Sequence, residues 1–265
     1  MSKRRQQHKQ PKAYYSQGQA VGDRHDQREL RGVQQEVDIR KANGEKYRLD
    51  WFHPQGKQRD IWEAMDRSNW VGIQAPSGTG KTTSVVCKAL SLLGSQYRKI
   101  VFVKNPTEVG TDAIGFLTGS KEEKLQAHFE AMRGVFLEFM SKGKLESDEK
   151  NGNIIFNVPN YLLGATISSS VVILDEAQTY SPATLKLLME RVDDSCKLIV
   201  MGDRQQAYSI KHREDGFTDF LNRVTSTDVN GRYSIEELFE YVELTSNENQ
   251  RGAISKRVTE IYSKD

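Results

Sequence analysis

The sequence has no long hydrophobic run. Its longest uninterrupted aliphatic stretch, 171–174, contains four residues, whereas a membrane-spanning helix needs about 20 apolar residues. The chain begins with the basic segment MSKRRQQHKQ, but the apolar stretch and cleavage site of a secretory signal peptide do not follow it. We therefore expect a globular protein that is neither secreted nor a partner of membranes.

Cysteine and histidine are also scarce. The two cysteines, Cys87 and Cys196, are too few and too far apart for a disulfide scaffold or a four-ligand zinc site. The five histidines are dispersed without the spacing of metal ligands. The composition therefore predicts free thiols in a reducing cytoplasm and argues against a zinc-dependent hydrolase.

Positive charge is concentrated at the start of the chain. Residues 1–50 contain twelve Lys or Arg and seven Asp or Glu, whereas the whole chain of 265 residues has a net charge of +2. The first 20 residues also lack any aliphatic periodicity, so they cannot offset the entropy of ordering. We predict a basic, disordered tail at 1–46 and a single domain at 47–265. The tail either holds nucleic-acid phosphates or is a solvated terminus that binds nothing specific.

The rest of the sequence alternates between short apolar runs and segments with helical spacing. Several of the apolar runs have no polar residue at all, which is typical of strands buried on both faces. Strands are predicted at 70–75, 99–104, 154–158, 171–174 and 197–202, and helices from about 55 and at 82–93, 121–140 and 181–192. This order predicts an α/β fold with a mostly parallel sheet and helices on both faces.

The first strand leads into APSGTGKT, residues 75–82, a P-loop pattern in which Ala75 replaces the usual first glycine. Gly78 and Gly80 allow backbone N–H groups to turn towards phosphate oxygens, and Lys81 adds a positive charge near the β and γ phosphates. A glycine turn with a solvated lysine is the alternative, but the strand before the motif and the helix after it disfavour that interpretation. The predicted nucleotide-binding residues of this segment are Ala75, Pro76, Ser77, Gly78, Thr79, Gly80, Lys81, Thr82 and Thr83.

The second motif, VVILDEAQ at 171–178, delivers two adjacent carboxylates to the end of a strand. Sheets of α/β proteins bind ligands at the carboxyl ends of their strands. Asp175 and Thr82 suit magnesium ligation, and Glu176 suits the orientation and deprotonation of an attacking water. An Asp-Glu pair at this place is also common as a polar helix cap, but the P-loop upstream favours the catalytic interpretation.

Two glutamines extend the predicted site. Gln206 follows a strand in LIVMGDRQQ, residues 198–206, and its amide is either a sensor of the γ-phosphate or part of an ordinary tight turn. Gln58 precedes the first strand, and a glutamine there can donate to adenine and accept from it at once. Without the neighbouring motifs Gln58 would be an ordinary surface residue.

The set Gln58, APSGTGKT, VVILDEAQ and GDRQQ resembles the helicase-like P-loop ATPases, and NPTEVGTDAIGFLTGSKEEKL at 105–125 resembles specifically the PhoH family of phosphate-starvation-inducible type. The resemblance extends from about residue 53 to 263. It implies one RecA-like ATPase core that uses ATP with magnesium and has links to RNA handling. It also places Arg251 at the position of the family's terminal arginine.

The sequence departs from the family pattern at three arginines. Asn105 stands where the family tends to have an arginine before a proline, and LGAT at 163–166 replaces an Arg-Gly-Arg-Thr stretch. If those arginines contact nucleic acid, RNA binding is weaker in this chain or is moved to Lys104, Lys121, Lys124 and the tail.

The length of the chain constrains the mechanism. Only 59 residues follow Gln206, which is too few for the second RecA-like domain of a monomeric helicase. We therefore hypothesise a homo-oligomeric ring, such as a hexamer, in which Arg251 reaches a neighbour's γ-phosphate as an arginine finger. The alternative is a solvated arginine that caps a helix. The predicted catalytic residues are thus Lys81, Glu176, Gln206 and Arg251.

These residues predict a magnesium-dependent ATPase that acts on single-stranded RNA or DNA as a helicase or remodelling enzyme. The alternative is an ATP-switched, oligomeric RNA-binding module with little motor activity. A small-molecule kinase is disfavoured because no arginine-rich lid follows the P-loop. A GTPase is disfavoured because the base-reading motif Asn-Lys-x-Asp is absent from the sequence.

Overall fold

A six-stranded parallel sheet forms the centre of the protein. The structure is a computed structural model that describes residues 44–106, 121–162, 164, 166–209, 215–226 and 238–262. The strands are β1 (Trp70–Gln74), β2 (Lys99–Lys104), β3 (Ile154–Asn157), β4 (Ser170–Asp175), β5 (Lys197–Gly202) and β6 (Phe239–Glu243). They are ordered β3-β2-β4-β5-β1-β6, and every neighbouring pair is parallel. This sheet confirms the predicted α/β, RecA-like fold class.

Helices cover the sheet on both faces. In the described ranges they are α1 (Gln58–Arg67), α2 (Lys81–Leu92), α3 (Lys121–Leu137), α4 (Lys142–Lys150), α5 (Pro182–Met189), α6 (Gly216–Val224) and α7 (Ala253–Tyr262). Within those ranges, none of the helices combines the length and the apolar character needed to cross a membrane.

Two apolar cores lie on opposite sides of the sheet because successive side chains of a strand point to opposite faces. In β4, Val171 and Ile173 join one core, and Val172 and Leu174 join the other. The first core includes residues from α1 to α4, and the second includes residues from α5 and α6. Since both faces are occupied by packing, the carboxyl edge of the sheet is the place where polar side chains can gather.

The predicted strands are confirmed, but α4, α6 and β6 were not predicted. Helix α4 has no apolar stripe, because Leu145 is its one large apolar residue. The helix expected at 121–140 ends at Leu137, and the helix expected to reach residue 192 ends at Met189. Strand β6, FEYVE, is an edge strand beside β1 and is half-buried, so it never forms a wholly apolar run.

The first described residues pack against the helical layer. Glu45 Oε2 accepts a hydrogen bond from the Ser141 hydroxyl at 2.6 Å, and the Tyr47 hydroxyl donates to Asp148 Oδ2 at 2.9 Å. A surface hydrogen bond therefore begins at Glu45, inside the predicted tail, whereas packing on the core begins at Tyr47. The domain boundary at 46/47 itself stays a prediction. Residues 1–43 of the predicted tail and 107–120 of the family-like stretch lie outside the described residues.

Candidate functional site

The P-loop forms the turn between β1 and α2. Gly78 and Gly80 have φ angles of 82° and 73°, a left-handed conformation that glycine adopts without the clash of a Cβ atom. The backbone N–H of Ala75 donates to Gly202 O at 3.0 Å and so fixes the start of the loop to the end of β5. Lys81 is the first residue of α2, and only 7% of it is exposed. The predicted strand–loop–helix context is therefore present.

Gln58 holds the P-loop from the side of α1. Its side chain is fully buried, its Nε2 donates to Thr79 O at 2.8 Å, and its Oε1 accepts from the Gln55 backbone N–H at 2.9 Å. A Cβ atom on Gly80 would lie 2.7 Å from that Nε2. Both ends of the amide are thus engaged with the protein, which gives Gln58 a supporting role that the sequence did not suggest. Its recognition of adenine stays a prediction.

The segment before α7 lies across the outer side of the P-loop. The Gln250 N–H donates to Gly78 O at 2.8 Å, and Asn249 Nδ2 donates to Ser77 O at 3.3 Å. Arg251 Nη1 donates to the Ser77 hydroxyl at 3.0 Å. The hypothesis placed Arg251 in a neighbouring subunit's site, but in this structure it contacts the P-loop of its own chain. The chain returns to the P-loop because β6 pairs with β1 and directs the following residues there.

Two carboxylates follow β4 at the same edge. Asp175 is 2% exposed, and its Oδ1 accepts from the Glu176 backbone N–H at 3.0 Å. Glu176 has a φ of 52°, which is unusual for a residue other than glycine and is a form of strain often found at functional sites. Gln178 Nε2 donates to Glu176 Oε2 at 2.6 Å. The carboxylate of Glu176 is therefore held in place from one side.

Lys104 is the cation closest to these carboxylates in the described part of the chain. It ends β2 in register with Asp175, and its Nζ lies 3.6 Å from Asp175 Oδ2 and 3.8 Å from Glu176 Oε1. Burial raises the pKa of Asp175 even though Lys104 is near. Burial acts on Glu176 in the same direction, but Lys81 and Lys104 outweigh it, so that the pKa of Glu176 is lowered. Lys104 was expected as a possible contact for RNA, whereas the structure turns it towards the carboxylates.

The end of β5 is tied to both neighbouring strands. The Asp203 N–H donates to Gln178 Oε1 at 3.0 Å, and Asp203 Oδ1 accepts from Gln74 Nε2 at 3.4 Å. Gln178 therefore links Glu176 to β5, and Gln74 links β5 to β1. Gln206, predicted to sense the γ-phosphate, lies in the 3₁₀ turn after Asp203. It is half-buried and outside the cavity described next, so its role stays a prediction.

A single cavity of about 430 Å³ brings most of the predicted residues together. Its other wall is formed by Phe102 of β2, by Ala131, Met132 and Val135 on one face of α3, and by Glu138, which follows that helix. The predicted site residues that line it are Ser77, Gly78, Gly80, Lys81, Thr82, Thr83, Asp175, Glu176 and Arg251. The predicted residues that do not line it are Gln58, Ala75, Pro76, Thr79 and Gln206. Lys104 and Gln250 are lining residues that were not predicted as part of the nucleotide site.

The donors in this cavity fit a phosphate chain with a hard divalent cation. The N-terminus of α2 and Lys81 present positive charge, as anion-binding helix termini do. Thr82 and Asp175 offer a hydroxyl and a carboxylate oxygen, the kinds of ligand that magnesium prefers. Asp175 Oδ2 is the oxygen that the backbone N–H of Glu176 leaves free. The arrangement can therefore hold a nucleoside triphosphate with a metal ion between its phosphates and Asp175.

Comparisons with known proteins agree with this geometry. The family model described as "PhoH-like protein" matches residues 53–263. A PhoH-like protein of Bacillus subtilis is 31% identical over 149 residues, which cover 56% of this chain and 47% of that relative. A PhoH-like protein of Synechocystis is 28% identical over 191 residues, with coverages of 72% and 57%. Protein PhoH of Escherichia coli is 24% identical over 203 residues, with coverages of 76% and 55%.

The chain spans about half the length of the curated relatives it matches. Among solved structures, the Hef helicase domain of Pyrococcus furiosus aligns with 78% of this chain and 42% of its own length, with a TM-score of 0.44 and 15% identity. The family match covers the sheet, the P-loop and the carboxylates of β4 in one continuous range. The chain therefore belongs to the PhoH-like protein family and has the fold of a P-loop nucleoside triphosphatase.

Proposed function

We propose that the protein is a magnesium-dependent ATPase of the PhoH type that acts on single-stranded nucleic acid, with RNA as the first candidate. The observation that carries the hydrolytic part is the shared cavity of Lys81, Asp175, Glu176 and Arg251. A P-loop lysine, a metal-binding carboxylate, a base and an arginine are the groups that phosphoryl transfer to water requires. We also propose a cytoplasmic location, since both cysteines are buried and free.

In this proposal each residue has one task. The backbone of the P-loop and Lys81 hold the β and γ phosphates, and Thr82 and Asp175 hold magnesium. Magnesium, when bound, neutralises charge that develops on the phosphate oxygens. Glu176 receives a hydrogen bond at Oε2 from Gln178, so Oε1 is the oxygen that accepts a proton from the attacking water. The lowered pKa of Glu176 keeps it ionised and able to act as an acceptor at neutral pH.

We place the role of Arg251 within one chain. Its guanidinium reaches Ser77 of its own P-loop and lines the same cavity as Glu176. Arginine fingers are known both in cis and in trans, and both stabilise charge on the transferred phosphoryl group. A cis arginine makes the site complete without a neighbour, so hydrolysis does not depend on the ring. The homo-oligomeric ring, such as a hexamer, remains part of the proposal as the form that engages nucleic acid.

Action on nucleic acid is supported by charge and by the family resemblance. The excess of five positive charges in residues 1–50 suits the phosphate backbone of single-stranded RNA or DNA. The second candidate is an ATP-switched, oligomeric RNA-binding module with little motor activity. The supporting observation is the contact of Asn249 and Gln250 with the P-loop, through which nucleotide binding can shift α7.

Steady-state ATP hydrolysis by the full chain, with and without single-stranded RNA, tests the proposal. We expect hydrolysis that requires magnesium, rises with RNA and falls about 10²–10⁴-fold in Glu176→Gln. This variant keeps the size of the side chain and its hydrogen bond to Gln178. No hydrolysis by the wild type, or unchanged hydrolysis in Glu176→Gln, would overturn the enzymatic assignment. Hydrolysis that ignores RNA, together with a size-exclusion profile that changes with ATP, would favour the switched module.

A further inference from the structure

Lys104 occupies a position that the pairing of two strands determines. Strands β2 and β4 are neighbours, and their register places Lys104 directly opposite Asp175. Both residues are the last of their strands, so their side chains meet at the carboxyl edge of the sheet. Lys104 also lines the cavity that contains Lys81 and Arg251. It is thus a third cation of the site, supplied by a strand that carries no part of the P-loop.

The two carboxylates share one pattern of contacts. Each has one oxygen held by a hydrogen bond from the protein: Asp175 Oδ1 by the Glu176 N–H, and Glu176 Oε2 by Gln178. The other oxygen of each, Asp175 Oδ2 and Glu176 Oε1, faces the Lys104 ammonium. These are the two oxygens that the proposed function assigns to magnesium and to the attacking water. Lys104 therefore stands beside the place where metal and water are needed.

Within the part of the chain that the structure describes, the ammonium of Lys104 forms ion pairs with both carboxylates but no hydrogen bond to either. Its Nζ lies 3.6 Å and 3.8 Å from the two oxygens, which is beyond the range of a hydrogen bond. Its side chain is 33% exposed, and a lysine stem has four carbons that rotate freely. The ammonium is therefore attracted to the carboxylates but is not fixed to them. A small rotation of the stem is enough to move it within the cavity.

We propose that Lys104 exchanges partners when a metal-bound nucleoside triphosphate enters. Its ammonium moves away from the Asp175 and Glu176 oxygens and contacts the terminal phosphate. The inference rests on the proposed function and deepens it. A divalent cation at Asp175 Oδ2 repels the ammonium at short range, while the terminal phosphate in the same cavity attracts it. Lys104 is then a counter-ion of the carboxylates before binding and a ligand of the third phosphate after it.

Two consequences follow for a variant without this charge. Lys104→Met keeps most of the volume of the stem but removes the ammonium. Metal alone then binds the carboxylates more tightly, because no internal cation competes for them. The preference for a triphosphate over a diphosphate falls, because the third phosphate loses one of its contacts. We expect a change of about tenfold in each quantity, the size of one charge-assisted contact.

The test measures binding rather than hydrolysis, with the full chain as wild type and as Lys104→Met. Electron paramagnetic resonance with Mn²⁺ measures metal binding without nucleotide. Calorimetry with ADP and with a non-hydrolysable ATP analogue, each with Mg²⁺, measures the phosphate preference. Lys99→Met is the matched control, because Lys99 lies at the opposite end of β2. Lys104→Arg keeps the charge and is expected to keep the triphosphate preference.

The expected result is tighter Mn²⁺ binding and a reduced ratio of triphosphate to diphosphate affinity in Lys104→Met, with ADP affinity and both readings of Lys99→Met unchanged. If the wild type prefers the triphosphate and Lys104→Met has the same ratio of affinities, the role of Lys104 is overturned and the proposed function stays intact. Parallel loss of ADP binding also counts against it, because that result indicates a damaged site. A wild type that binds neither nucleotide overturns the proposed function itself.

Discussion

Charged side chains have different surroundings at the amino edge of the sheet, where its parallel strands begin, and at the carboxyl edge, where the strands end. At the amino edge, Lys197 begins β5, and its ammonium donates to Ser68 O at 2.5 Å and to Asn69 Oδ1 at 3.2 Å. At the carboxyl edge, Lys104 faces Asp175 and Glu176 without a hydrogen bond to either. Both lysines are close to oxygen atoms, but only the first one is fixed by them.

The difference separates a structural charge from a functional one. A buried ammonium needs hydrogen-bond acceptors to offset its lost hydration, and the two acceptors of Lys197 offset part of that loss. Among the described residues, each carboxylate at the other edge has one oxygen without a hydrogen bond, which faces a cavity and the ammonium of a lysine that can move. Their electrostatic requirements are therefore met fully only by a ligand. We expect variants at the carboxyl edge to change function and variants at the amino edge to change stability.

Removal of Arg251 is the variant with the largest expected effect. If the carboxyl edge is functional, Arg251→Ala should lower the rate of ATP hydrolysis by about 10³–10⁵-fold, because the arginine stabilises charge on the transferred phosphoryl group. ATP affinity and the thermal midpoint should change little, since Arg251 is exposed. Single-turnover hydrolysis and calorimetry measure the two effects. The exposed Arg67 at the end of α1, paired with Glu240, provides the control Arg67→Ala, whose turnover should stay normal.

A mixing experiment tests whether Arg251 acts within its own chain. Arg251→Ala and Lys81→Ala subunits are each expected to be inactive. If Arg251 acts in cis, as its contact with Ser77 suggests, a mixture of the two stays inactive. Recovered hydrolysis would show that an intact arginine of one subunit serves the intact P-loop of another. That outcome would restore the trans arginine of the ring hypothesis.

The parts of the site that follow one another along the chain were predictable. The P-loop and the carboxylates of β4 each consist of an apolar strand with its next residues, so local pattern and motif identify them together. Lys104 carries no such signal, because its place beside Asp175 results from the pairing of β2 with β4 across about 70 residues. Arg251 was identified, but its own P-loop as partner was not, because the path of β6 beside β1 is equally non-local.

Prediction of the fold is limited in the same way, because local sequence patterns reveal some elements and miss others. The apolar strands stand out in sequence because burial on both faces excludes polar residues from them. Helix α4 has the opposite character: its buried Lys144 and Asp148 form an ion pair at 2.9 Å. Charged residues that satisfy one another in this way look like a solvated segment in sequence. A hydrophobic pattern therefore finds β4 and misses α4.

A variant of Gln178 tests whether this side chain positions Glu176 for catalysis or only supports the turn after β4. It holds Glu176 Oε2 and the Asp203 N–H at once, so Gln178→Ala should lower kcat about tenfold while the KM for ATP stays nearly constant. Asn105→Ala is the control, because Asn105 Nδ2 donates to Thr179 O in the same turn without contacting Glu176. Gln178→Ala loses two hydrogen bonds and Asn105→Ala loses one, so each variant should lose about 1–3 kcal/mol of stability. If both variants lose kcat equally, Gln178 supports only the turn and does not position Glu176.

The smallest predicted effect concerns the amino edge and its dependence on pH. Burial lowers the pKa of Lys197 to about 8, and Asp66 and Lys88 are its charged neighbours. An unfolded chain has the ordinary value of 10.5, so between these two values the unfolded state binds more protons than the folded state. The free energy of unfolding therefore gains a contribution that rises with pH, from near zero below pH 8.

Comparison with Lys197→Met isolates this contribution, because every other titrating group is present in both proteins. The difference in the free energy of unfolding, wild type minus variant, should rise by about 1 kcal/mol between pH 7 and pH 9. Urea unfolding at each pH measures it. A difference that stays constant over this range would mean that Lys197 keeps an ordinary pKa and enough water to remain charged when buried. Lys197 would then be a hydrated charge, as a lysine beside an open cavity is. Burial would no longer distinguish it from Lys104.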